Sequence, residues 1–202
     1  MSASHLAARA PRQERSAQTW ARVLHVAMAI FAERGWEGFT ITEVCRRVEV
    51  SPTSIYARTD GKVGLFRAAH EAWLEEMADG EAELRRELAA RFGDGDETAL
   101  LRAAWAIAEM HDRNAAVLRA VIGRAIVDDT LRARGAEVSR ALVARLADSV
   151  PGDPGRARDA VAGFYAQAVL RTAVGADFLT SGSESLDDFV ARMMRSLPAE
   201  RG

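Results

Sequence analysis

From residue 51 to residue 62 the chain reads SPTSIYARTDGK. This gathers the hydroxyls of Ser51, Thr53 and Ser54, the phenol of Tyr56, the guanidinium of Arg58 and the single lysine of the chain, Lys62. Short hydroxyls and cations at this density suit phosphate oxygens and base edges better than bond-breaking chemistry. A catalytic set is hard to assemble elsewhere. The histidines are His5, His25, His70 and His111, and none has a glutamate three residues before it, as a di-iron bundle would need. HExxH, paired cysteines and a Gly-rich phosphate loop are all missing from the sequence, so neither an enzyme nor a metal or cofactor protein is expected.

The flanking residues form a frame for these groups. Thr40-Ile41-Thr42-Glu43 is a capping-box pattern, in which Thr40 accepts from a first-turn N–H and Glu43 reaches back. It predicts a helix to about Val48, burying Ile41, Val44 and Cys45. Glu49-Val50 is a tight connection to Ser51-Pro52, with serine suited to the N-cap and proline to the first helical position. A short helix from Pro52 to about Arg58 follows. Two short helices joined this tightly make a helix-turn-helix, whose second helix enters the major groove. Its N-terminal residues Pro52, Thr53 and Ser54 would meet base edges, with Ala57 and Arg58 one turn further. Thr42, Ser54, Tyr56 and Lys62 would reach phosphates and fix register. A half-buried core tyrosine is the alternative for Tyr56.

Charge follows the same division. Of 27 basic and 29 acidic residues, residues 1–62 hold nine and six, a balance of +3, which leaves −5 for the remainder. A basic head on an acidic body suggests that only the head meets a polyanion. Arg9, Arg12 and Arg15 fall in a flexible arm over 1–16, either a groove- or phosphate-contacting arm or a solvated tail. The 202 residues are 49% hydrophobic, enough for one large domain or two small ones. The lone Cys45 excludes an intrachain disulfide. No run reaches the ~18 apolar residues of a membrane span. MSASHLAARAPRQERSAQ lacks the apolar core of a signal peptide, so a cytoplasmic location is expected.

The segment from about residue 20 to residue 66 resembles the tetracycline-repressor-like (TetR) transcriptional regulators. The resemblance lies in VLHVAMAIFAERGWEGFT, which follows the pattern ILxxAxxLFxxxGxxxxT, and in ITEVCRRVEVSPTSIYARTDGKVGLF. It implies that Thr40 caps the first helix of the motif and that Val50-Ser51 turns into the recognition helix. It also implies that Tyr56 is a phosphate-binding tyrosine and Lys62 the lysine opening helix four. Three positions depart from the family. Glu49 stands where glycine is usual, Thr59 replaces an aromatic residue, and Pro52 takes a place often held by a polar or basic side chain. The implied fold is all-α: a three-helix head (17–62) joined by helix four to a helical effector-binding and dimerisation domain (63–202).

The remaining sequence agrees with helices throughout. A first helix is expected over Ala17 to Arg34, stopped by Gly35. A long helix should occupy about Arg156 to Leu179 after the turn PGDPG, and a last helix carries Leu186, Phe189, Val190, Met193 and Met194. Trp105, Met110, Val121, Phe164 and Tyr165 are candidates to line a cavity, with His111, Asn114, Gln167 or Arg171 as polar anchors. Each is equally explicable as core. Small residues such as Ala162 and Ala166, with Val169, Phe189 and Met193, suit a helix-on-helix dimer seam. The expected partners are a double-stranded operator, an unknown small-molecule effector and a second copy of the chain. The expected function is a ligand-responsive regulator, more a repressor than an activator. The alternative is a helical adaptor that keeps the head without binding DNA.

Overall fold

The computed structural model describes residues 12–178 and 182–197. Nine α-helices run through them: α1 (Arg12–Gly38), α2 (Ile41–Val48), α3 (Pro52–Tyr56), α4 (Gly61–Phe92), α5 (Ala99–Arg113), α6 (Ala115–Ala125), α7 (Asp129–Asp148), α8 (Pro154–Val174) and α9 (Leu186–Arg195). The fold is all-α, as expected. Among the described residues no helix is long and apolar enough to cross a membrane.

Helix boundaries follow local chemistry. Thr40, Ser51, Asp128, Asp153 and Ser185 each cap a helix by accepting a backbone N–H into the side chain. The first helix begins at Arg12, five residues before the expected Ala17, and breaks at Gly35, whose φ of 65° is open to glycine at little cost. Arg9 lies outside the described residues. α8 stops at Val174 rather than near 179, because Gly175 (φ 112°) turns the chain out of the helix. The capping box forms only in part. Thr40 Oγ accepts from the Glu43 N–H at 3.2 Å, but the Glu43 carboxylate turns to arginines.

The chain divides into two compact units after Glu76, inside α4, and not at residue 62. The first unit reaches this far because its core needs the opening turns of α4. Phe31, Phe39, Leu65 and Phe66 are buried together with Ala69 and Trp73, and the Phe31 and Phe66 ring centroids are 4.7 Å apart. Trp36 meets Phe66 edge-on at 5.4 Å. Each such side chain stabilises the unit by about 1.5–3 kcal/mol through burial. Ile55 is the contribution of α3 and Val44, Cys45 and Val48 are those of α2.

The second unit packs α5 against α8 and α9, with α6 and α7 also lying along α8. Its core joins Leu84 and Leu88 to Ile107, Leu142, Val161, Phe164, Phe189 and Met193. Ala103, Ala104, Ala106 and Ala108 on α5 are all buried, so neighbouring helices approach it closely.

Candidate nucleic-acid interface

α3 has one buried residue. Ile55 is 0% exposed, and Pro52, Thr53, Ser54, Tyr56, Ala57 and Arg58 face solvent. The single anchor holds a five-residue helix by one side and offers the rest outward. Tyr56 is 59% exposed, which removes the core-tyrosine alternative. Ser51 Oγ caps the helix, accepting from the Ser54 N–H at 3.3 Å, and lies 2.9 Å from Ser54 Oγ. The two hydroxyls therefore fix each other before any ligand arrives. Thr40 and Thr42 are exposed at the start of α2.

Two cations have internal duties that sequence spacing did not reveal. Lys62 donates from Nζ to the carbonyl of Trp36 at 2.6 Å and sits 4.5 Å above the Trp36 ring. It locks the end of α1, beyond the break at Gly35, to the first turn of α4. One of its three N–H groups is thereby spent. Arg58 donates to Ser16 Oγ at 2.7 Å with its guanidinium 5.1 Å from the Trp20 ring centroid. It ties the end of α3 to the first turns of α1.

Glu43 gathers a further group. Its carboxylate accepts from Arg46 Nε and Nη2 at 2.8 Å and from Arg47 Nε at 2.9 Å, with Arg34 Nη2 at 3.2 Å. Arg47 also makes a bidentate pair with Glu33 at 2.7 and 3.0 Å. These bonds, those from Arg46 first, hold the Glu43 carboxyl well below its ordinary range, at about 2. The turn between α2 and α3 carries a conformational cost. Glu49 adopts the left-handed conformation (φ 62°, ψ 44°) and is the only non-glycine with positive φ among the described residues.

Residues 23–69 match the model of the bacterial regulatory proteins of the tetR family. The head belongs to the TetR family. No curated protein matches the chain. Two solved structures share the fold. One is a candidate TetR-family transcriptional regulator from Rhodococcus sp., with a TM-score of 0.62 and 20% identity over 89% of this chain and 97% of that one. The other is a TetR-like transcriptional regulator from Rhodococcus sp. RHA1, with a TM-score of 0.52 and 20% identity over 95% and 100%. The helix-turn-helix of the TetR head is thus a DNA-binding motif, and the candidate residues Thr40, Thr42, Ser51, Pro52, Thr53, Ser54, Tyr56, Arg58 and Lys62 lie on or beside it.

In the helical unit that accompanies the TetR head, the candidate pocket residues are dispersed. Phe164 and Gln167 line an open groove of about 490 Å³ at the α7–α8 turn, with Arg156 and Leu197. Gln167 is engaged by Ser196 at 3.3 Å and Arg192 at 3.0 Å. Trp105 is buried, stacked on Phe92 beneath the Arg91 guanidinium. Arg171 is held by the Glu184 carbonyl at 3.0 Å and by Asp112 at 3.4 Å, with Phe189 below it. Asn114 closes the end of α5 on the Met110 carbonyl, and Met110 and Val121 are half-buried.

His111 is different. It is buried, with Nδ1 3.0 Å from Thr172 Oγ1 and its ring edge-on to Tyr165, whose hydroxyl lies 2.7 Å from Ser139 Oγ. Burial lowers its pKa to about 4, so it is neutral, and Nε2 has no hydrogen-bond partner among the described residues. Thr172 and Ser139 went unnoticed in the sequence, where 61 residues separate His111 from Thr172. The seam residues need correction too. Phe189 and Met193 are fully buried within their own chain and cannot meet a second copy, whereas Ala162 and Ala166 are exposed and Val169 is half-buried.

Proposed function

We propose that the protein is a homodimeric, ligand-responsive repressor that binds a palindromic operator and is released by a small-molecule effector. The observation that carries the reading is the division of α3: one buried isoleucine and an outward face of hydroxyls and a phenol. Thr53 and Ser54 at its start meet base edges, while Thr40, Thr42, Tyr56 and the remaining N–H groups of Lys62 take phosphates.

A self-association face supports the dimer. Ala162, Ala166, Leu170 and Val174 recur every four residues along α8 and are all exposed, so an apolar stripe runs along the outside of the helix. Two heads held by this stripe would read half-sites one helical turn apart, about 34 Å, or a near multiple. Effector binding in the helical unit would be relayed through α4 and alter that spacing. By linkage, DNA weakens effector binding by the same factor. The neutral His111, whose buried Nε2 meets no partner among the described residues, is the polar group we assign to such an effector.

Fluorescence anisotropy on DNA from upstream of the protein's own gene, against a random duplex of equal length, tests the reading. Preferential, salt-sensitive binding that weakens in Tyr56→Phe with Thr53→Ala is the expected outcome. Absence of binding there and in a random-library selection would leave the adaptor reading. Leu170→Asp with Val174→Asp should convert a dimer to monomers in sedimentation.

A further inference from the structure

A groove of about 360 Å³ lies in the head between the first turns of α1 and the outer side of α3. Its walls carry two guanidinium groups, Arg15 and Arg58, and three hydroxyls, Ser16, Thr19 and Ser54, over an apolar floor that includes Trp20. No carboxylate among the described residues lines it, although Glu14 is the immediate neighbour of Arg15 in sequence. The Arg58–Ser16 bond and the Trp20 contact hold one guanidinium in place at the groove wall. Ser54 belongs both to this groove and to the exposed face of the recognition helix, so the two surfaces are continuous.

We propose that this groove is a second phosphate site, in which the DNA backbone crosses the first turns of α1 between Arg15 and Arg58. The inference rests on the DNA-binding reading of the head. Its occupant is fixed by complementarity: a deoxyribose suits the apolar floor and the Trp20 ring, and a phosphate suits paired guanidiniums beside the Ser16 and Ser54 hydroxyls with no competing acid, whereas Thr19 donates its proton to the Arg15 carbonyl at 2.8 Å. Arg58 is thereby reassigned from base reading to a positioning and phosphate-binding role. The bond to Ser16 uses one of its five N–H donors. Contacts of this kind fix the head on the duplex without reading sequence.

Salt titration of DNA binding provides the test, using the full chain, its preferred duplex and a random duplex. Each phosphate contact contributes about 0.9 to the slope of log K against log salt. Arg15→Ala should lower the slope by ~0.9 per head, or ~1.8 for two heads. Between 50 and 200 mM salt the variant's affinity should then fall about twelvefold less than that of the wild type. The loss should be equal on both duplexes, and Arg15→Lys should restore most of it. Arg15 is exposed, and an unchanged melting temperature confirms that folding is intact. An unaltered slope in Arg15→Ala, or a loss confined to the preferred duplex, overturns the proposal while leaving the DNA-binding head in place. Failure of the wild type to bind any duplex overturns the underlying reading instead.

Discussion

Replacing Glu49 with glycine should make the head more stable. At this position an L-residue is held at φ 62° and ψ 44°, where its Cβ crowds the following carbonyl at a cost of about 1–2 kcal/mol. Glycine removes that cost but gains freedom in the unfolded chain, returning about 0.4–1 kcal/mol. The balance is a stabilisation of about 0.5–1 kcal/mol. The cap bond from the residue-49 N–H to the Cys45 carbonyl is made by the backbone and survives the change. Urea unfolding followed by tryptophan emission is the assay, because Trp20, Trp36 and Trp73 all lie in the head. Two controls separate backbone from charge. Glu49→Asn should retain much of the gain, since asparagine tolerates this region, and Glu49→Gln should show none. Glu49→Gln should instead tighten DNA binding slightly, a unit charge ~10 Å from a phosphate being worth ~0.4 kcal/mol in water before screening. Equal urea midpoints for Glu49→Gly and Glu49→Gln would refute the strain argument.

Acid should weaken the head through Glu43. Its pKa is lowered in the folded state from 4.5 to about 2, so its contribution is complete above about 4.5 and disappears as pH falls toward 2; the urea midpoint of Glu43→Gln should vary less over that window. The second unit should lose stability at milder acidity. His111 titrates at about 4 when folded against 6.5 when free, so the native state resists protonation and about 3 kcal/mol is lost as pH falls from 6.5 toward 4, which His111→Leu should flatten in unfolding followed by circular dichroism. Imidazole resonances in NMR should place that titration directly. Phe39→Ala should cost about 3–5 kcal/mol, since the ring is wholly enclosed among Phe31, Trp36 and Phe66, and the tryptophan-detected transition should shift accordingly.

How far the sequence could be read depended on the range of the interactions involved. Thr40, Ser51-Pro52 and Gly35 act within one turn of helix, and each was legible as a cap, a start or a stop. The outward face of α3 was legible for the same reason, since a short helix needs only one anchor and Ile55 is its only branched aliphatic residue. Interactions spanning tens of residues were not. Nothing in the spacing of Lys62 reveals that Nζ would bond the Trp36 carbonyl, or that Arg58 would reach back to Ser16. Phe189 and Met193 illustrate the ambiguity of an apolar stripe, which has the same period whether it meets its own chain or another. The pocket residues were dispersed because an alanine-rich bundle offers many apolar positions and few polar ones to order them.

The inclusion of Leu65, Phe66, Ala69 and Trp73 in the first core bears on how such a head could be exchanged between proteins. A fragment ending at Lys62 would leave Phe31 and Phe39 facing water and would lose the far side of their shared cluster. The smallest fragment of this chain that keeps the aromatic cluster whole therefore carries sixteen residues of α4 with it, Gly61 to Glu76. Recombination that swaps heads at the start of α4 would have to find a new partner for every aromatic ring, whereas a join after Glu76 would move the whole cluster intact.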